Sequence, residues 1–256
     1  MRSLTISDPA FLGALKKSSP LDYSPIVWLD ASDTSTIVAS GSPLKVSQWT
    51  GKSGNGFNLT QGVSSAQPTT GTTTINGLNT IYFDGNDKLV FLNASLFSNS
   101  SSATIFIVGS GTVSTAGNKG LFLARTVSGD AARAQVLAVS GQAQAGGRRL
   151  DADVYQSVNA SSIADNTPFM VGAIFDWSNA QLYVNVNGTL TQRSGGFQTA
   201  GMVSSTADDI SVGQNPRSAG NPFVGSIGEI IVYPTILSTN ERQFIEGYLR
   251  QKWGTP

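Results

Sequence analysis

The chain has 256 residues, with 16 basic and 16 acidic side chains and a formal net charge of zero. It contains no cysteine and no histidine, which excludes disulfides, thiolate metal sites and catalysis by either residue. Charged residues make up only 12% of the chain, so the sequence offers no basic surface for nucleic acid or acidic lipid. It also lacks an apolar run of the ~18 residues that a membrane-spanning helix needs. We therefore expect neither nucleic-acid nor membrane partners.

The first 23 residues differ in pattern from the rest of the chain. Asp8 can cap a short helix that has Pro9 at its first position, and apolar residues up to Leu15 can share one face. Asp8 and Pro9 also interrupt the apolar stretch, so the segment does not have the pattern of a secretory signal. We predict an N-terminal arm over 1–23, either partly ordered or docked on a neighbouring subunit, followed by one domain over 24–256.

Short strand patterns, separated by Gly, Asn, Ser and Pro, recur from Ile26 onward. Between Leu182 and Val186 apolar and other side chains alternate, and Asn187-Gly188 predicts a two-residue hairpin turn. Strands at this spacing favour a β-sandwich or barrel over a βαβ fold. The predicted strands cover residues 26–29, 79–84, 103–110, 119–125, 133–140, 168–176, 180–186, 209–213 and 223–233.

The chain ends on a helix signal. Ser238 and Glu241 have the spacing of a capping box, and an apolar stripe runs from Ile245 to Trp253 at helical period. The glycine after Trp253 is placed to end the helix. We predict a helix over 239–253 that lies with its apolar face on one edge or end of the sandwich, where it would cover an edge strand.

Four blocks of the sequence resemble a known family. They are SPIVWLDASDTSTI (24–37), VSQWTGKSGNGFNLTQ (46–61), NGLNTIYFDGNDKLVF (76–91) and FVGSIGEIIVYPTILS (223–238). In this order they are similar to blocks of concanavalin A-like domains of the laminin G type, which occur in bacterial surface proteins and phage structural proteins. The resemblance implies an all-β fold, a jelly-roll sandwich of two antiparallel sheets with a short C-terminal helix. It does not fix a function, because this fold hosts sugar binders, enzymes and scaffolds.

The resemblance also has one departure. The family often has an acidic residue directly before Lys-Ser-Gly in the second block, and this chain has Gly51 there. A ligand role of this loop that needs a carboxylate is therefore not implied.

Paired carboxylates are the first requirement of a glycoside hydrolase. The chain has only three glutamates, two of them in the predicted helix, and no strand motif that pairs them. Asp151 and Asp153 can share one face of a strand, but Arg148 and Arg149 beside them would keep both ionised. Without a histidine, serine catalysis also lacks its usual base. We therefore predict that the protein is not an enzyme, and a glycan-active enzyme that uses the two aspartates is the third alternative.

Oxygen ligands for calcium occur in two loops. Asp84, Asn86 and Asp87 lie in the tight FDGNDK loop, and Asp30 and Asp33 lie in LDASD. Carboxylate and amide oxygens are the ligands that calcium takes in proteins. The alternative is turn chemistry, since Asp and Asn side chains bond to their own backbone in turns. We favour turn chemistry and expect no cofactor, and a calcium ion held by Asp84, Asn86 and Asp87 is the alternative.

Sugar binding requires an exposed aromatic face together with amide groups that bond to hydroxyls. Trp49 with Asn55 in the glycine-rich loop is one candidate pair, and Trp177 with Asn179 between two strands is the other. The alternative for each tryptophan is simple packing in the core.

These observations favour a non-enzymatic structural or adsorption protein of a phage-like particle, as a capsid decoration, spike or tail component located on the virion. Other virion proteins would be its partners through the N-terminal arm, host surface polysaccharide would be its ligand, and it would form a homo-oligomer. The alternative is a secreted, extracellular bacterial carbohydrate-binding module.

Overall fold

The computed structural model describes residues 18–193, with the backbone alone for 191–193, and residues 196–256. Its strands pair in antiparallel fashion throughout, and the only α-helix of the described residues is the C-terminal one. Predicted fold class and observed fold agree: the chain is an antiparallel β-sandwich with a short C-terminal helix.

The 17 strands are β1 Val27–Asp30, β2 Ile37–Ser40, β3 Leu44–Thr50, β4 Asn58–Thr60, β5 Thr69–Ile75, β6 Leu78–Asp84, β7 Leu89–Ala94, β8 Ser102–Thr112, β9 Asn118–Thr126, β10 Ala132–Val139, β11 Gln142–Gly147, β12 Gln156–Ser162, β13 Phe169–Asp176, β14 Gln181–Val186, β15 Thr189–Arg193, β16 Asp208–Val212 and β17 Val224–Tyr233. The helix, α1, is Thr239–Trp253, and short 3₁₀ turns lie at Pro20–Tyr23, Thr34–Thr36 and Ser64–Ala66.

The strands form two layers. The first layer has the order β5–β6–β17–β8–β13–β14–β15, and β1 continues the line of β6 along β17. The second has the order β2–β3–β4–β7–β16–β9–β10–β11–β12. A short pairing of β3 with β5 joins them. The predicted hairpin turn is confirmed: Asn187 and Gly188, both at positive φ, connect β14 to β15.

Two hydrophobic cores follow from the alternation of side chains along the central strands. In β8, Ile105 and Ile107 face the main core between the two sheets, whereas Phe106 and Val108 face the opposite side. In this part of the first sheet the outward-facing side chains are therefore also apolar and need a cover. The helix α1 supplies it.

The helix covers a face of the first sheet, and the prediction that it lies on an edge or end of the sandwich is wrong. Ile245, Leu249 and Trp253 pack against the outer side chains of β8 and β17, such as Phe106 and Ile231, in a second core. These strands lie in the middle of the first sheet. A continuous apolar face attracts the helix more strongly than an edge does, because it buries more apolar surface. The predicted bounds and capping box of the helix are confirmed.

A buried carboxylate fastens the helix to the sheet. Glu229 of β17 has no exposed surface. Its Oε1 accepts hydrogen bonds from Trp28 Nε1 (2.6 Å) and from the Tyr248 hydroxyl (3.0 Å). Its Oε2 accepts from Trp253 Nε1 (2.6 Å) and from Lys252 Nζ (2.7 Å). All four partners are donors, and this arrangement suits an ionised carboxylate, which only accepts. Burial raises the pKa of Glu229, and the Lys252 ammonium opposes that effect.

The same network includes Asp30, at the end of β1. Asp30 and Asp33 belong to the second of the two loops with oxygen ligands for calcium. Lys252 Nζ also lies 2.7 Å from Asp30 Oδ1, and Lys52 Nζ lies 3.0 Å from a carboxylate oxygen of Asp30 and of Asp33. Burial alone would raise the pKa of Asp30, but its bonds to the two lysines and to Ser32 hold the pKa below its usual range. Lysines therefore occupy the side where a cation would bind these two aspartates.

The residues before β1 contact this second core. The Tyr233 hydroxyl donates to the backbone oxygen of Pro20 (3.2 Å), and the ring of Tyr23 lies 5.4 Å from that of Phe244. Residues 1–17, most of the predicted arm, lie outside the described residues. In the part of the chain that the structure describes, no helix has the length and apolar character that crossing a bilayer requires.

Replacing Glu229 with glutamine tests the network. A glutamine has one oxygen and one amide nitrogen, so in either orientation its nitrogen would face two donors, and Lys252 would lose a charged partner. We expect the free energy of unfolding to fall by about 3 kcal/mol or more, measured by urea denaturation. The control is Asp153→Asn, at a carboxylate whose one hydrogen bond, from the Leu150 backbone nitrogen, an amide oxygen can also accept, with an expected change within ~0.5 kcal/mol. Equal losses for the two variants would contradict the role of Glu229.

Candidate functional site

The two tryptophans predicted to stack on sugars are in the interior. Trp49 and Trp177 have no exposed surface. Trp177 packs against Phe97 and Phe175 with ring centroids 5.8 and 5.5 Å apart. Neither indole can present a face to a ligand in solvent, so the stacking role predicted for them is corrected to core packing. Large flat side chains are placed here because they fill the space between the two sheets.

The two amides predicted to accompany them serve the backbone and a turn. Asn55 Nδ2 donates to the backbone oxygens of Pro25 (3.2 Å) and Ile26 (3.4 Å), which holds the glycine-rich loop against the chain before β1. Asn179 Nδ2 donates to Asp176 Oδ2 (2.9 Å) within the turn between β13 and β14. The structure does not bring these amides together with an exposed aromatic ring at either place.

The predicted calcium loop closes on itself. The carboxylate of Asp87 accepts from the backbone nitrogen of Asp84 (2.9 Å), and that of Asp84 accepts from the backbone nitrogen of Asn86 (2.8 Å). Within the described ranges no cluster of three or more acidic side chains could hold a metal ion. The hydrogen bonds are those of the turn alternative. Calcium binding at this loop stays a prediction, and the geometry gives it no support.

The two aspartates weighed as catalytic residues are structural. Asp151 accepts hydrogen bonds from Ser204 (2.7 Å) and Thr206 (2.8 Å), and it lies 3.3 Å from the buried Arg133 guanidinium. Burial alone would raise the pKa of Asp151, but these donors hold it below its usual range. Asp153 accepts from the backbone nitrogen of Leu150. A catalytic acid needs a raised pKa, so this geometry does not suit hydrolysis.

The polar surface that best suits a ligand lies on β11 and β12, and it was not predicted from the sequence. In β11, Ala143 and Ala145 face the main core, so Gln142 and Gln144 face outward. Asn159 of β12 stands beside them: Gln144 Nε2 donates to its Oδ1 (2.8 Å), and its Nδ2 donates to Gln142 Oε1 (3.2 Å). We call the surface of Gln142, Gln144 and Asn159 the amide platform. It lies on the outer face of the second sheet, opposite the face that carries α1.

A tyrosine and an arginine border the amide platform. The Tyr155 hydroxyl donates to Gln144 Oε1 (3.2 Å), and the Arg148 guanidinium lies 5.8 Å from the centre of the Tyr155 ring. A side chain at Gly146 would collide with the Tyr155 hydroxyl, so the glycine permits this position of the ring. Burial raises the pKa of Tyr155 to about 12, against the opposing effect of Arg125 and Arg148.

Arg148 differs from the other arginines whose side chains are described. Its backbone nitrogen donates to the Arg133 carbonyl oxygen (3.3 Å), but its guanidinium makes no hydrogen bond or ion pair with a described residue, and the Tyr155 ring is the contact of its side chain. The others each bond to a carboxylate, a hydroxyl or a backbone oxygen: Arg125, Arg133, Arg149, Arg217, Arg242 and Arg250. A guanidinium with five unused donors thus stands next to a row of amides.

A signal for the amide platform was present in the sequence. QAQAGG alternates amides with small residues, which is the pattern of a strand with an alanine face inward and a glutamine face outward. The signal was weak because the inward face of β11 carries alanines, and large apolar side chains would have marked that face more clearly. The pairing of Gln144 with Asn159 comes from strand register, which the sequence does not print.

The sequence matches no family model, and a search of curated proteins gives no match. Solved structures with a similar fold do exist. The receptor-binding domain of botulinum neurotoxin D is 16% identical, with a TM-score of 0.60 over 93% of this chain and 57% of that one. This chain therefore spans little more than half of the toxin domain.

Two further folds are similar. Domain 4 of an extracellular arabinanase from Geobacillus stearothermophilus, in complex with arabinotriose, is 12% identical, with a TM-score of 0.57 over 87% of this chain and 98% of that one. A SAP-like pentraxin from Limulus polyphemus is 14% identical, with a TM-score of 0.53 over 65% and 81%. Identities this low show a shared fold alone. They agree with the concanavalin A-like sandwich that the sequence resemblance implies.

The buried carboxyl group of Asp87 makes the stability of this turn depend on pH, and this dependence can be tested. Its side chain is 1% exposed, and Oδ1 has no hydrogen-bond partner among the described residues. Burial and the nearby charge of Asp84 raise the pKa of Asp87 to about 6, against the effects of a backbone hydrogen bond and Lys45. A raised pKa in the folded state means that the protonated form stabilises the fold below about pH 4, and that this stabilisation is lost as pH rises towards 6.

We therefore expect the melting temperature of Asp87→Asn to rise relative to the wild type between pH 4 and about 7, and the difference to level off above that. Calorimetry across this range measures it. Asp84→Asn removes the neighbouring charge and should weaken the pH dependence without abolishing it. Parallel curves for the wild type and Asp87→Asn would contradict the buried position of the carboxyl group.

Proposed function

We propose that the protein is a non-catalytic carbohydrate-binding domain and that the amide platform with Arg148 is its binding surface. The observation that carries the proposal is the ordered row of amides on β11 and β12 beside an arginine without a partner. The proposal corresponds to the alternative expected from the sequence, a carbohydrate-binding module. It combines Arg148, which the sequence places near Asp151 and Asp153, with three amides that no sequence pattern indicated as a site.

The chemistry of the platform fits sugar hydroxyls. Each amide both donates and accepts, and so does each hydroxyl group of a sugar. The hydrogen bonds among Gln142, Gln144 and Asn159 fix the orientation of the amides in advance, so that less side-chain entropy is lost when a ligand binds. The remaining donors and acceptors point to solvent, because Gln142 and Asn159 are exposed.

Arg148 suggests the class of sugar. A guanidinium that has no internal partner can bind a carboxylate or sulfate through two parallel hydrogen bonds. Its contact with the Tyr155 ring keeps it beside the amides. We therefore propose an oligosaccharide that contains an acidic residue, such as a uronic or sialic acid, with its hydroxyls on the amides and its anionic group on Arg148.

The structural comparisons support binding over catalysis. The arabinanase domain that matches over almost its whole length was solved with arabinotriose, and a botulinum neurotoxin D binding domain with a TM-score of 0.59, 14% identity and 93% of this chain covered was solved with N-acetylneuraminic acid. The hydrogen bonds of Asp151 and Asp153 give no support to an enzyme. An extracellular location suits a glycan ligand.

Binding of acidic oligosaccharides by calorimetry tests the proposal. The probes are sialyllactose and tri-galacturonate, with arabinotriose as the neutral comparison. We expect saturable binding of an acidic probe. Arg148→Ala should weaken it about 10- to 100-fold, since it removes a charge-assisted hydrogen bond, and should leave the neutral probe unchanged. Gln144→Ala with Asn159→Ala should weaken both classes.

The matched control is Gln251→Ala, which removes an exposed amide of α1 far from the platform. It should bind like the wild type. If no acidic probe binds the wild type, or if Gln251→Ala and Arg148→Ala behave alike, the proposed site is wrong. Melting temperatures of all variants show whether a loss of binding comes from unfolding.

The assignment to a phage-like particle stays a prediction. It is supported by the resemblance of the four sequence blocks to domains of phage structural proteins, and the arm over 1–23 would be the attachment segment, with its first 17 residues outside the described ranges. Capsid decoration, spike and tail component are the roles in question, and a homo-oligomer is the expected form.

Sedimentation of a lysate from the producing culture tests that assignment. If the protein belongs to a virion, mass spectrometry should find it in the gradient fractions that hold capsid-sized particles. Its presence only at the top of the gradient, as free protein, would contradict the virion prediction and leave the glycan proposal intact.

A further inference from the structure

A second polar surface lies on the opposite sheet, just beyond the end of α1. The outward-facing side chains of β8 change character along the strand, from Phe106 and Val108 under the helix to Ser110 and Thr112 beyond it. In β17, Ile231 lies under the helix and Ser226 beyond it. The outward side chains of both strands change from apolar to polar at the same position along the sheet, because Ser226 is the register partner of Ser110.

The polar ends of these strands form the floor of a cavity of about 250 Å³. We call it the hydroxyl trough. Tyr82 of β6 pairs with Ser226 and stands on one side, and Asn166, from the loop before β13, lies on the other. Most of the side chains that line it are polar, among them Thr74, Tyr82, Ser110, Thr112, Asn166 and Ser226.

Two glycines shape the floor. Gly111 and Gly225 are register partners in β8 and β17, and both line the trough with backbone alone. A side chain at Gly111 would collide with the backbone oxygen of Val224, and one at Gly225 with that of Ser110. The close approach of the two backbones therefore requires glycine at both positions.

Hydrogen bonds between side-chain hydroxyls hold one wall of the trough in place. Ser226 Oγ donates to Thr73 Oγ1 (2.9 Å), and the hydroxyls of Thr73 and Thr80 lie 2.7 Å apart. Ser226 is only 6% exposed and Thr80 is fully buried. This chain of hydroxyls holds the edge strand β5 against the sheet, so the trough is preformed in the folded chain.

The other polar groups of the trough have no internal partner. Within the described residues, the side chains of Thr74, Tyr82, Ser110, Thr112 and Asn166 make no hydrogen bond. Several donors and acceptors therefore converge on one concavity in which, among the described polar side chains that line it, Thr73 and Ser226 alone are engaged by the protein. The phenol of Tyr82 adds a partly exposed ring beside them.

The chemistry of this lining selects a neutral ligand. No charged side chain is among the described residues that line the trough, so an ion would find no counter-charge there. Hydroxyls and an amide can each donate and accept, which matches a polyhydroxylated compound, and a ring beside them can contact the apolar face of a sugar. A volume below the ~300 Å³ of the smallest drug-sized pockets suits one sugar unit.

We propose that the hydroxyl trough is a second carbohydrate-binding site, which takes a single neutral sugar unit of an oligosaccharide. It lies on the first sheet, whereas the amide platform lies on the second, so the two sites face opposite ways. One domain would then hold two glycan chains, or two distant segments of one chain. Such bivalence raises avidity on a polysaccharide surface without any new contact.

Nuclear magnetic resonance of the whole ¹⁵N-labelled chain tests the trough directly. The probes are maltotriose, cellotriose and arabinotriose, each added up to about 20 mM because a site for one sugar unit binds weakly. We expect one of them to shift the amide resonances of Gly111 and Gly225 in a saturable way. Tyr82→Phe and Thr112→Val should each weaken that binding about fivefold or more, since each removes one hydroxyl.

Matched controls are present in the same sheet. Tyr183→Phe in β14 and Thr189→Val in β15 make the same chemical changes away from the trough and should bind like the wild type. The Gln144→Ala, Asn159→Ala variant should also keep the shifts at Gly111 and Gly225, although it loses the platform. That result would support the trough whatever the outcome at the platform.

Three results would overturn the inference. They are no saturable shift at Gly111 and Gly225 with any probe, shifts that Tyr82→Phe and Thr112→Val leave unchanged, and shifts that disappear in the Gln144→Ala, Asn159→Ala variant. The acidic probes of the platform are titrated on the same samples. Failure of the trough with intact binding of an acidic probe, or the reverse, therefore separates the two proposals.

Discussion

A single buried carboxylate sets the arrangement of the C-terminal half of the fold. Glu229 receives four donors, and three of them, Tyr248, Lys252 and Trp253, belong to the helix. Taking a carboxylate out of water is costly unless every lone pair is engaged, so the helix can occupy only the position that satisfies it. Trp28 of β1 donates to the same carboxylate, at the oxygen that Tyr248 also uses, which ties the first strand of the sandwich to the helix.

That position of the helix divides the outer face of the first sheet into two parts. Under the helix, β8 and β17 show apolar side chains, and beyond Trp253 they show hydroxyls. Gly228, next to Glu229, lies directly under the Trp253 ring, where a side chain would collide with it. The hydroxyl trough begins where this cover ends, so the carboxylate that anchors the helix also fixes which part of the sheet remains open to a ligand.

The outer face of the second sheet is polar and open for a different reason. Within the described residues the outer side of this sheet carries no helix, and small inward residues such as Ala143 and Ala145 let β11 and β12 lie close to the opposite layer. The outward amides then satisfy one another across the strand pair. The sandwich thus presents hydrogen-bonding side chains on both outer faces, while the tryptophans that sugar binders expose are used here to fill the interior. A domain of this kind would recognise glycans through hydroxyls and amides rather than through stacked indoles.

The sequence by itself determined the all-β class, the capped helix over Thr239–Trp253 and the hairpin at Asn187-Gly188, because period, capping and turn chemistry are local. Only the tertiary structure decided where these elements meet. Which face the helix covers depends on the outward residues of strands far apart in the chain, and the burial of Trp49 and Trp177 depends on the opposite sheet. The candidate sites depend on register between strands, which places residues side by side through backbone hydrogen bonds that no local pattern encodes.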